Sequence, residues 1–167
     1  GCHEPRTSSV PEQDGALAIT REPSAIAPGP SGSRPLSYPI LVQPVLDRHC
    51  VGCHKAEKPE GRVVLTGEPE GTFSRSYNKL MPFVAWTAWG NPANNYEPLT
   101  TPDRFGARAS KLTHLLDRGH YDVKLSAEEW ERIVTWIDAN ALFYGTFKPE
   151  DQARQQRGEL IAGPELE

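Results

Sequence analysis

Residues 40–54, Ile40-Leu41-Val42-Gln43-Pro44-Val45-Leu46-Asp47-Arg48-His49-Cys50-Val51-Gly52-Cys53-His54, decide how the rest of the chain is read. Ile40, Leu41, Val45 and Leu46 are spaced for one face of a helix that runs into His49-Cys50. Pro44 sits badly in a helix interior and well in a first turn, so the regular helix is predicted to start there. That helix delivers two thiols separated by two residues, with an imidazole directly after the second.

Each position in Cys50-Val51-Gly52-Cys53-His54 answers a chemical need of covalent haem attachment. Two thiols on one helical turn can add to the two vinyl groups along one porphyrin edge. The next residue then lies beneath the iron, where a neutral imidazole is a strong axial ligand. Competing chemistries fit less well. A zinc ribbon needs a second Cys or His pair at short spacing, and none follows. A thioredoxin-like redox pair needs a preceding strand and a βαβ context, which this sequence lacks. Three cysteines are too few for a disulfide framework. The residues point to one covalent haem c held by Cys50 and Cys53, with His54 on the iron.

Away from the motif the chain is poor in apolar residues. Hydrophobic residues are 37% of 167, and sixteen Pro with fourteen Gly imply much loop. A buried haem would offset that shortage with apolar surface of its own. A net charge of -4 gives no reason to expect nucleic acid as a partner. No segment approaches the roughly 18 apolar residues of a membrane span.

Three regions follow. Residues 1–36 carry six prolines among Gly, Ser, Thr and charge without apolar periodicity, and are expected to be a disordered linker. Its opening Gly1-Cys2 has three readings: a lipobox end with lipidated Cys2 and a membrane tether, a cloning residue before a chance cysteine, or, with His3, the tail of a second haem motif. Residues 37–148 are expected to form the folded domain. In it, Phe73, Tyr77 and Leu80 suggest a short helix ending near Pro82, and residues 83–107 form a long loop holding Trp86, Trp89, Tyr96 and Phe105. Ser110 can cap a helix through about Arg118, with Gly119 as its stop. Ser126-Ala127-Glu128-Glu129 is a capping box, and Trp130, Ile133, Val134 and Ile137 form one apolar stripe on the helix behind it. Residues 149–167 read as a polar tail.

Five residues compete for the other side of the iron. At about 100° per residue, Leu112, Leu115 and Leu116 point one way and His114 nearly opposite, so His114 is expected to face solvent. His49 is fixed beside the attachment site and is expected to make a hydrogen bond nearby. Met81 precedes the long loop, and His3 lies in the linker. His120 follows a helix stop, in the loop Gly119-His120-Tyr121-Asp122-Val123-Lys124-Leu125 that leads to the capping box. It is the preferred sixth ligand, with His114 and Met81 as the alternatives.

The order helix, CxxCH, loop, helix resembles class I cytochrome c over residues 37–142. More narrowly, five stretches are similar to cytochrome domains of planctomycete-type proteins, such as the C-terminal haem domain of the hydrazine synthase alpha subunit. They are Thr72-Phe73-Ser74-Arg75-Ser76-Tyr77 with Ser110-Lys111-Leu112, then Gly119–Ser126, then Trp136-Ile137-Asp138, and finally Phe143-Tyr144-Gly145. The resemblance spans most of the domain and none of the linker. It implies an all-α, small cytochrome c-like helical domain wrapped around a covalently bound haem, with long loops. It also implies a sixth ligand just before the C-terminal helix, commonly methionine and here His120, in a bis-histidine, low-spin iron. The catalytic haem of hydrazine synthase is associated with a tyrosine soon after its CxxCH. Lys55-Ala56-Glu57-Lys58 stand there in this chain, so that activity is not implied.

The expected function is therefore one-electron transfer by a protein that is not itself an enzyme. Covalent haem attachment is performed on the exported side of bacterial membranes, so a periplasmic or outer-face location is expected. The expected partners are redox proteins or a membrane-bound redox complex. The alternatives are a haem enzyme or gas sensor with an open sixth site, or a haem-bearing subunit of a larger assembly.

Overall fold

The computed structural model describes residues 20–25, 34–87 and 103–163. The readings made for Gly1-Cys2-His3, Trp89 and Tyr96 lie outside the described residues.

Two prolines shape the first structural unit. Helix α1, Tyr38–Leu41, and helix α2, Gln43–His49, each carry a proline in the first turn, Pro39 and Pro44. The helix at Pro44 was expected; the extra turn before it was not. Pro44 has no N–H to give the Ile40 carbonyl four residues back. Arg132 Nη1 donates to that carbonyl instead, at 3.4 Å, so the break between the helices is served from the C-terminal part of the fold.

The core forms around Tyr38, which is fully buried. Its ring meets Tyr77 and Trp136 edge-on, at 5.2 and 5.1 Å between centroids, and stacks on Phe143 at 5.4 Å. Such aromatic pairs add about 0.5–1.5 kcal/mol each beyond the area they bury. Burial pushes the Tyr38 phenol up, so it stays a neutral donor, although the Ser76 hydrogen bond acts the other way. Tyr38 Oη donates to Ser76 Oγ at 3.0 Å, and Ser76 Oγ donates to Gln43 Oε1 at 2.6 Å. Gln43 Nε2 in turn donates to the Leu65 carbonyl at 3.1 Å. This buried chain of donors fixes α2 against the segment that follows the CxxCH motif.

The fold is mostly helical, with one departure from an all-α reading. Pro69–Glu70 (β1) pairs antiparallel with Phe73–Ser74 (β2) across a turn at Gly71, whose φ of +68° suits glycine. Helix α3, Arg75–Leu80, follows, capped by Ser74 Oγ, which accepts from Tyr77 N at 3.3 Å. Helix α4, Lys111–Asp117, starts after Ser110 and stops at Gly119, at φ +93°. Ser110 does not cap it through its side chain. The hydroxyl is fully buried, donates to the Gly106 carbonyl at 2.8 Å and accepts from Ala85 N at 2.9 Å, so it closes the base of the long loop.

Helix α5, Ala127–Asp138, opens with the complete capping box that its sequence announced. Its inner face is Ile133, Trp136 and Ile137, each 1% exposed; Trp130 and Val134, expected in that stripe, lie half-buried beside it. The stretch after Pro149, read as a polar tail, carries helix α6, Pro149–Gln156. Gln155 is fully buried there. It accepts from Gly145 N at 3.0 Å and donates to the Leu36 carbonyl at 3.2 Å, joining the residues on either side of the core. Gly145 is needed at this crossing, because a Cβ would lie 2.4 Å from Leu36 O.

Candidate functional site

The CxxCH segment leaves the end of α2 as a tight turn. Cys53 N and His54 N both donate to the Cys50 carbonyl, at 3.1 and 2.9 Å. Leu65 N donates to the His54 carbonyl at 2.8 Å, so the returning chain clamps the turn from outside. Cys50 is half-buried against the core and Cys53 is exposed; both are free thiols. Burial, and then the neighbouring Cys53, push the Cys50 thiol up to about 11. A redox-active dithiol works through a depressed thiol, and Cys50 is shifted the other way. Among the described residues no group of three or more His, Cys, Asp or Glu is gathered for a metal ion, which leaves a zinc ribbon without its ligand set.

The His54 imidazole is oriented by the backbone. Its Nδ1 lies 3.0 Å from the Val63 carbonyl oxygen, which can only accept, so Nδ1 carries the proton and donates. In the neutral ring this leaves Nε2 with a lone pair available to a metal. A hydrogen bond of this kind to a backbone carbonyl fixes the direction of an imidazole ring. Nothing in the side-chain sequence pointed to Val63, since the acceptor is its main chain.

His120 comes to the same place from the other end of the domain. The loop after Gly119 turns back on itself, with Val123 N donating to the His120 carbonyl at 3.2 Å and Tyr121 in the left-handed region at φ +52°. The rings of His54 and His120 are 6.1 Å apart between centroids, with planes only 14° from parallel. Two imidazoles that share one metal at about 2.0 Å per bond have ring centres roughly 6 Å apart. The observed separation is close to that figure, and the planes are nearly parallel.

The competing histidines go elsewhere. His114 is exposed on α4, as its helical phase requires, and Met81 packs half-buried against the core. His49 Nε2 lies 3.0 Å from Glu129 Oε1, which is the nearby hydrogen bond expected of it. A cavity of about 1200 Å³ opens instead between α4, α5 and the turn at 107–109, lined by Arg108, His114, Trp130 and Asp138 among others. It includes none of Cys50, Cys53, His54 or His120. Among the described tryptophans, Trp86 is 41% exposed and Trp136 is the one sealed in the core.

No family model, curated protein or solved structure matches this chain. The functional reading therefore rests on the residues themselves.

Proposed function

We propose that the domain is a monohaem c-type cytochrome that transfers single electrons. Cys50 and Cys53 would hold haem c covalently, and His54 and His120 would be the two axial ligands. The observation that carries this reading is the parallel, metal-spaced pair of rings on segments far apart in sequence, one of them following directly on two thiols. When bound, haem supplies a one-electron change between iron(III) and iron(II). The chain's own part is to present two neutral imidazoles. Val63 fixes the first by accepting from Nδ1, and the loop after α4 presents the second. With His54 and His120 both holding the group, no position would remain for a substrate, which supports a carrier rather than an enzyme.

Attachment of haem c places the protein on the exported side of a bacterial membrane. Among the described residues no helix is long and apolar enough to cross that membrane. The partners would be redox proteins or a membrane-bound redox complex. The deciding experiment is expression with the haem-attachment machinery, followed by intact mass and absorption spectra. The expected product carries one haem that resists acid extraction and is low-spin in both oxidation states. A colourless chain at the bare polypeptide mass would overturn the proposal.

A further inference from the structure

From the geometry around Glu129 we infer that this residue is a positioning residue for the axial pair, a latch that holds the His120 loop at a set distance from the CxxCH turn. The inference rests on the bis-histidine reading. Glu129 is 7% exposed and binds two segments at once. Its Oε2 accepts from Ser126 N at 2.8 Å, where the loop that carries His120 ends. Its Oε1 accepts from Arg48 Nη1 at 2.8 Å and faces His49 Nε2 at 3.0 Å, where α2 hands over to Cys50. One carboxylate thus spans the last residue before the thiols and the last residue of the sixth-ligand loop.

The loop needs such an anchor. Between Gly119 and Ser126 its backbone bonds are local, Gly119 N to the Leu116 carbonyl and Val123 N to the His120 carbonyl. Leu125 packs against the core, but no backbone bond crosses from the loop to the CxxCH turn. The two arms of the latch differ in strength. Arg48 is 72% exposed, and an ion pair in water holds little. His49 is 20% exposed and adjoins Cys50 directly, so it carries the larger share.

The test is cyanide binding to the ferric holoprotein, which reads how often His120 leaves the iron. Glu129→Gln retains an oxygen for the cap and loses the carboxylate that Arg48 and His49 address. It is expected to speed cyanide binding about tenfold, the scale of one charge-assisted hydrogen bond. His49→Ala should approach that effect, and Arg48→Ala should fall well short of it. Ile133→Val, on the inner face of the same helix, is the control. It should lower thermal stability by a similar amount while the cyanide rate stays within about twofold of the parent. If Glu129→Gln and Ile133→Val change the rate equally, Glu129 merely stabilises the fold and the inference is wrong. If the unmutated ferric protein is already high-spin, the bis-histidine reading itself has failed.

Discussion

The imidazoles of His54 and His120 lie nearly parallel, 14° apart in plane and 6.1 Å between centres. The first is held by the Val63 carbonyl, and the second opens a turn that Val123 N closes on its carbonyl, with Tyr121 edge-on beside it at 5.0 Å. In the proposed haem protein the orientation of the two rings is readable by spectroscopy. Parallel axial imidazoles split the iron orbitals rhombically, whereas perpendicular ones leave them close to degenerate. Frozen ferric protein should give a low-spin electron paramagnetic resonance spectrum with three resolved features. A single, strongly shifted low-field feature would mean that the planes cross.

Replacing His120 separates the carrier from its alternatives. His120→Ala should convert most of the ferric protein to a high-spin form that binds cyanide at once. His120→Met should stay largely low-spin with a higher midpoint potential, because a thioether favours the reduced iron. If neither spectrum differs from the parent, His120 is not a ligand, and Met81 becomes the next residue to test.

Acid should act through Glu129. The Ser126 backbone N–H, followed by the hydrogen bond with His49, holds its carboxyl down at about 2, against an ordinary value of 4.5. A carboxyl that titrates lower in the fold than in the unfolded chain contributes fully above the ordinary value and loses its contribution as pH falls toward about 2. At neutral pH, Glu129→Ala should cost about 1–2 kcal/mol in urea unfolding, cap included. That difference between parent and variant should shrink as pH falls through this window. A difference that is the same at both ends would show that the carboxylate charge does not matter.

Helix α6 should prove integral to the domain. Gln155→Ala leaves the Gly145 N–H and the Leu36 carbonyl without their partner, at a cost of about 2–4 kcal/mol. Gly145→Ala forces a methyl against the Leu36 backbone, which cannot swing aside as a side chain can, and should cost about 2–3 kcal/mol. Thermal melts of the holoprotein measure both. Losses under about 0.5 kcal/mol would return residues 149–163 to the status of a tail.

What the sequence determined by itself was local. The CxxCH triad, the proline at the start of α2, the capping box at Ser126 and the outward phase of His114 all depend on residues within a turn or two of one another. Spacing and side-chain chemistry settle such features. The small ribbon at Pro69–Ser74, the redirection of Ser110 from cap to loop closure and the ordering of the polar stretch after Pro149 were not legible in that way. Each is decided by a partner far along the chain: Ala85 and Gly106 for Ser110, Leu36 for Gln155. The same holds at the candidate site. Sequence could nominate His54 and His120 separately, but their parallel approach, the Val63 carbonyl behind one and the Glu129 bridge from Ser126 to Arg48 and His49 exist only once Tyr38, Tyr77 and Trp136 have packed. The distance between two remote segments is fixed by the core between them, and no local pattern encodes it.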